Sequence, residues 1–156
     1  MLVHTDLDFN GRNQDLIYRA GMIPYFVESD GSIQMLFMIP SNYEYGGKCF
    51  QIAKGKVESE DTSFYNAALR EAKEELGLFS GNIISAQEVG MILGRTALYV
   101  AKVKNKDLFG LPSDETLATK WMSLSEFKES EGRDLHKPIV SQCHRLIQKI
   151  EFPEED

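Results

Sequence analysis

Apolar residues in the first third of the chain come in short runs rather than at helical spacing. In "LIYRAGMIPYFVESDGSIQMLFMIP" two apolar runs flank Ser29–Ser32, whose Asp30-Gly31 pair favours a tight hairpin. The pattern predicts strands near 17–28 and 33–39. "SNYEYGG" then reads as a loop from its Gly, Asn and Ser content, and "KCFQIAKG" as a short strand ending on Gly55.

The period changes after Gly55. From about Thr62 to Leu76 there is no Gly or Pro, Ala67, Ala68, Leu69, Ala72 and Leu76 supply apolar positions, and Gly77 is suited to end a helix. "NIISAQEVGMILGRTALYVAKVK" predicts two further strands broken near Gly94-Arg95, followed by a loop over 105–118. "TKWMSL" reads as a last short strand and "SLSEFKES" as a short helix. From Pro138 onward Ile139, Val140, Cys143, Leu146, Ile147 and Ile150 recur at helical spacing, giving an amphipathic closing helix. No repeat or low-complexity segment interrupts this order. The expected fold class is α/β, a mixed β-sheet sandwiched between helices, in one domain over 1–156.

Composition narrows the function. With 42% apolar and 26% charged residues the chain can bury a core and is not a disordered tail. Its net charge of -7 and the lack of any basic run argue against duplex nucleic acid as a partner. An acidic protein that handles phosphates needs a metal ion or local cations to overcome repulsion. Cys49 and Cys143 stand far apart without metal-ligand spacing, which fits reduced thiols in a cytoplasmic protein. The beginning of the sequence lacks a signal-peptide pattern, and no run is long enough for a membrane span, so no membrane partner is expected.

The predicted helix over 62–76 carries the chemistry. Advancing about 100° per residue, Glu71, Glu74 and Glu75 fall on one acidic stripe beside a core stripe of Tyr65, Leu69, Ala72 and Leu76. Like charges at this spacing repel, and a merely solvated helix face more often alternates its signs. A bound cation would relieve the repulsion. Carboxylate oxygens at i, i+3 and i+4 suit Mg²⁺ or Mn²⁺, and Gly55, just before the helix, would let a backbone carbonyl approach the same ion.

Gly55, Lys56, Val57 and Glu58, followed by Arg70-Glu71-Ala72-Lys73-Glu74-Glu75-Leu76-Gly77-Leu78, resemble the Nudix box, over about 55–78. The second half matches closely, with Ala72 in an aliphatic place. The first half departs: between Gly55 and Arg70 there is one residue more than in the pattern, and the box's first Glu falls on Asp61 counted from Gly55, or on Thr62 counted back from Arg70. An insertion in the loop accounts for this, since one in the helix would rotate every later carboxylate by about 100°. "YRAGMIPYF", "GRTALYVAKVK" and "SDETLATKWMSLSEF" resemble the corresponding stretches of Nudix enzymes similar to dinucleoside tetraphosphate hydrolases.

The resemblance implies the Nudix fold and hydrolysis of a nucleoside diphosphate linked to a group X, by attack of metal-bound water on phosphorus. It carries metal ligation onto Glu71, Glu74, Glu75 and Gly55, and catalytic roles onto Glu71, Glu74, Arg70 and Glu115. Arg70 would orient the carboxylates with Asp61 as its acidic partner, and Glu71 would act as ligand or base. Glu115 would be a further ligand or base, with Asp114 its competitor; either is otherwise a solvated loop acid. Glu58 is a loop acid or lies near the metal. Lys54, Lys56 and Arg95 are candidates to hold substrate phosphates or are solvated charges, and Tyr99 either stacks on a base or belongs to the core. His4, His136 and His144 show no ligand spacing, His136 suiting the surface or a helix cap, and Cys49 suits a small core position.

The expected partner is a small nucleotide, with diadenosine tetraphosphate as the leading substrate and the protein a monomer or homodimer. ADP-ribose, a nucleotide sugar, a nucleoside triphosphate and an RNA 5′ end are the alternatives, as is a nucleotide sensor that has lost hydrolysis.

Overall fold

Strand β2, Arg19–Val27, is the axis of the fold. The computed structural model describes residues 2–154, in the order β1 (Leu2–His4), β2, β3 (Ile33–Pro40), β4 (Ala53–Lys56), α1 (Phe64–Leu76), β5 (Ile83–Ile92), β6 (Thr96–Val103), β7 (Thr116–Met122), α2 (Leu124–Glu126) and α3 (Lys137–Glu151). The sheet order is β1-β5-β6-β2-β3-β7, with β4 also on β2. Pairs β1–β5 and β2–β6 are parallel and the others antiparallel, so the sheet is mixed as expected.

One edge of β2 runs along β6, while the other is shared. Residues 19–22 pair with β4 and residues 25–27 with β3. Pro24 falls between the two, where that edge pairs with neither strand, which is where a strand tolerates a proline. The sheet therefore forks beside β2, and a cleft is lined from both prongs.

Both faces of the central strands are covered. Ala20 and Met22 of β2 and Ala97, Tyr99 and Ala101 of β6 pack under α1 with Ala67, Ala68, Ala72 and Leu76. Their alternate neighbours Ile23, Tyr25, Leu98 and Val100 pack with Ile139, Val140, Cys143 and Ile147 of α3. The small residues on the α1 side let that helix lie close to the strands. The Ser63 hydroxyl accepts from the Asn66 N–H at its start, and Gly77, at φ 76°, closes its end.

Several boundaries differ from the sequence-based expectation. The strand expected over "KCFQIAKG" is regular only from Ala53, because Phe50 and Gln51 make isolated bridges to Gly132 and Met38. Strand β7 begins three residues earlier than expected, where Thr116 meets Pro40. The short helix over 123–130 is a capped turn, Leu124–Glu126, that widens into a π turn through Glu131. Strand β1 was not foreseen; its few residues gain their place from parallel pairing with β5. No helix among the described residues is long and apolar enough to cross a membrane.

Candidate active site

The cleft at the fork has a volume of about 930 Å³ and a lining of both signs. Glu44, Glu58, Glu71, Glu74, Glu75, Asp114 and Glu115 supply its acids, and Arg19, Lys54, Lys56 and Arg133 its cations.

Glu71 departs most from expectation. The acidic stripe was expected beside the core stripe, yet Glu71 lies in the buried face of α1 at 7% exposure, whereas Leu69 is only partly buried. Space for its carboxylate comes from Gly55: a Cβ there would stand 2.4 Å from the Glu71 carboxylate. The glycine is required by contact rather than by backbone conformation. Burial pushes the Glu71 carboxyl up from its ordinary pKa, Arg70 opposes the shift, and Glu74 and Glu58 add to it.

Arg70 holds the acidic side together. Its Nε and Nη2 donate to Asp61 Oδ1 and Oδ2 at 3.0 and 2.9 Å, its Nη1 donates to Glu71 Oε1 at 2.8 Å, and Nη2 also reaches the Lys56 carbonyl at 3.0 Å. This is the forked geometry for which a guanidinium is suited and an ammonium is not. The same bonds hold the Asp61 carboxyl below its usual range. Asp61 also accepts from the Glu58 N–H at 2.7 Å, closing an exposed turn before the helix. This turn lies in the stretch where the extra residue of the box is expected, and α1 runs unbroken from Phe64 to Leu76.

Glu75 is half-buried. Its Oε1 accepts from the Lys54 N–H at 3.1 Å, and burial, with Glu71 and Glu115 nearby, pushes its carboxyl up to about 8. Glu115 is exposed, on a loop stitched to the end of α1. Ser113 N–H donates to the Glu74 carbonyl at 2.7 Å, Thr116 Oγ1 to the Glu75 carbonyl at 2.9 Å, and Gly110 N–H to the Gly77 carbonyl at 2.8 Å. The loop thus satisfies helix carbonyls that have no intrahelical donor and sets Glu115 beside Glu75.

The rest of the lining is assembled from distant sequence. Arg133 N–H donates to the Phe50 carbonyl at 2.8 Å, and Phe50 N–H to the Glu131 carbonyl at 2.9 Å, laying 131–133 along the approach to β4. His136 is fully buried rather than at the surface. Its Nδ1 accepts from the Ile52 N–H at 3.2 Å, and burial, with Arg133 and Lys54, lowers its pKa to about 3. Burial first, then Arg19 and Arg133, also lowers the Lys54 ammonium from its ordinary value.

Two expected site residues are not at the cleft. Tyr99 is 1% exposed, packs edge-on against Tyr65 at 5.4 Å and shares a 3.3 Å hydrogen bond with Thr5 Oγ1, so its ring has no face for a base. Arg95 lies in the β5–β6 turn, and its Nε donates to the Ile17 carbonyl at 2.9 Å. Cys49 is exposed rather than core, while Cys143 is buried under α3 with its thiol pushed up to about 12. Sequence reasoning missed Arg19, Gln51 and Arg133. For Arg133 the only local signal was a cation flanked by glycine and a helix start.

The donor set fits a divalent cation. Glu71, Glu74 and Glu75 offer hard oxygen atoms on adjoining turns; Glu74 raises the cost of ionising Glu71, and Glu71 that of ionising Glu75, a penalty that a cation would remove. As the side chains stand, no three acid, imidazole or thiol groups among the described residues converge on one position, so binding requires carboxylates to rotate.

The NUDIX domain model matches residues 20–143. No curated protein matches the chain in sequence. An Ap4A hydrolase of C. elegans, solved as a binary complex, is 19% identical, with a TM-score of 0.66 over 85% of this chain and 98% of that one. The NUDIX domain of Shewanella oneidensis NrtR, solved with ADP ribose, is 12% identical, with a TM-score of 0.68 over 91% and 94%. RenU, a Nudix hydrolase from M. smegmatis, is 16% identical, with a TM-score of 0.63 over 89% of each chain.

Proposed function

The chain belongs to the Nudix family of hydrolases, and from that premise we propose that it cleaves a nucleoside diphosphate linked to a further group, best represented by a dinucleoside polyphosphate such as diadenosine tetraphosphate. The observation that carries this is the cleft itself. Its volume of about 930 Å³ lies at the upper end for small-molecule sites, and its lining brings the helix carboxylates together with four cations. A polyphosphate carrying two nucleosides needs that room and that pairing of charges. The C. elegans Ap4A hydrolase, of similar fold, lends support.

Glu71, Glu74 and Glu75 would hold Mg²⁺ or Mn²⁺, with Gly55 leaving the space. The bound ion would supply Lewis acidity, neutralise phosphate charge and make a water nucleophilic at neutral pH. Arg70 ties Glu71 to Asp61 through the bonds it shares with both, which limits how far the Glu71 carboxylate has to move to meet the ion. Lys54, Lys56, Arg19 and Arg133 bind the phosphate oxygens. Glu115, exposed beside Glu75, accepts the proton of the attacking water.

A second reading is favoured by the NrtR domain, whose structure contains ADP ribose. On that reading the cleft accepts ADP-ribose and the chemistry is unchanged. Purified protein incubated with Mg²⁺ or Mn²⁺ and a panel of diadenosine tetraphosphate, ADP-ribose, NADH and nucleoside triphosphates, with products resolved by chromatography, separates the two. ATP plus AMP from diadenosine tetraphosphate is the expected result. Preferential cleavage of ADP-ribose selects the second reading, and metal-independent binding without hydrolysis of any member overturns both.

A further inference from the structure

Strand β7 changes phase just beside the turn that carries Glu115. Trp121 packs on the α1 side of the sheet and Met122 on the α3 side, so strict alternation would put Thr116 on the α3 side with Met122. The pairing of β7 with β3 slips by one residue instead. Ile39 faces Ala118 and Pro40 faces Thr116, leaving Leu117, 58% exposed, without an opposite residue. A bulge of this kind turns the side chain beyond it to the other face. Thr116 accordingly meets α1, its Oγ1 donating to the Glu75 carbonyl at 2.9 Å.

The turn next to the bulge is held at each of its four residues. Thr116 N–H donates to the Ser113 carbonyl at 3.1 Å, which leaves Asp114 and Glu115 at the two central positions. Ser113 N–H donates to the Glu74 carbonyl at 2.7 Å, Ser41 Oγ to the Asp114 carbonyl at 2.7 Å and Ser41 N–H to the Glu115 carbonyl at 2.8 Å. Two of these anchors are the backbone carbonyls of Glu74 and Glu75, so the turn takes its position from the residues that supply the acidic face. Glu115 is the turn acid whose charge acts on Glu75.

We propose that Thr116 is a positioning residue for hydrolysis: turned to α1 by the bulge, its hydroxyl fixes the turn so that Glu115 rather than Asp114 accepts the proton of the attacking water. This deepens the reading of the cleft as a hydrolase site and rests on it. Thr116 itself touches neither substrate nor water and acts through Glu115.

Thr116→Val keeps the β-branched shape and removes the donor, whereas Thr116→Ser keeps the donor. In metal-free protein, amide hydrogen exchange at Ser113 and Thr116 should be at least about tenfold faster in the Val variant and unchanged in the Ser variant. With the panel nucleotide that is cleaved fastest, Thr116→Val should lower kcat about tenfold and leave KM within about twofold, and Thr116→Ser should keep the parent kcat. Glu115→Gln should lower kcat at least about a hundredfold, and adding Thr116→Val to it should cost nothing further. Unchanged exchange in Thr116→Val, an equal loss of kcat in Thr116→Ser, or a Val effect that persists beside Glu115→Gln would each overturn the positioning role and leave hydrolysis standing. Parent turnover in Glu115→Gln would overturn Glu115 as base and Thr116 with it, and no cleavage of any panel nucleotide would overturn the reading of the site as well.

Discussion

Helices α1 and α3 cover opposite faces of one sheet with different residues. Helix α3 buries Ile139, Val140, Cys143 and Ile147, all apolar. Helix α1 buries Phe64, Tyr65, three alanines and Leu76, and among them a carboxylate, Glu71, with Glu75 half-covered beside it. Nothing in packing calls for that. Burying a charge is unfavourable unless it is paired, and here the pairing takes Arg70, Asp61 and the bare α-carbon of Gly55. The α3 face is buried with apolar side chains alone, whereas the α1 face buries a carboxylate at a cost in stability.

That contrast predicts opposite responses to substitution. Glu75→Gln, which deletes one charge from the repulsive face, should lower Mg²⁺-dependent turnover at least about a hundredfold. In metal-free buffer at alkaline pH it should raise the melting temperature, by roughly 2–4 °C. Turnover at the parent rate would remove the acidic face from the chemistry. Ile147→Ala, on the other helix, should cost about 2–5 kcal/mol in urea unfolding while leaving kcat at temperatures where the fold persists unchanged. A fall in kcat matching the loss of stability would erase the division of labour.

The smallest effect concerns acid. His136 has a folded pKa near 3, below its ordinary 6.5, so the unfolded chain takes a proton first as pH falls. Its contribution is therefore fully present above about 6.5 and is lost as pH drops toward 3. His136→Asn keeps an acceptor for the Ile52 N–H and removes the titration. Between pH 7 and 5 the parent should lose on the order of 1–2 kcal/mol more than the variant. Equal losses would mean that His136 takes up its proton in the folded state as readily as in the unfolded one.

The acidic face was legible because its chemistry is local. Arg70, Glu71, Glu74 and Glu75 sit on one helix, and helical spacing alone puts them side by side. Even so, spacing could not tell that Glu71 is buried at the cleft, which depends on the room that Gly55 leaves opposite. The rest of the lining was illegible where it is made by pairing across distance: Arg133 arrives only through its bonds to Phe50. Tyr99 was ambiguous for another reason. Both faces of β6 are buried, so alternation along that strand gave no outward side on which an aromatic would meet a ligand.

Manganese binding in solution, followed by loss of the free-ion electron paramagnetic resonance signal, tests the central claim most directly. The unaltered protein should bind the ion, and a Glu71→Gln, Glu75→Gln double variant that melts cooperatively should bind it at least tenfold more weakly. Equal affinity in the two proteins would contradict the assignment of the acidic face of α1 as the metal site.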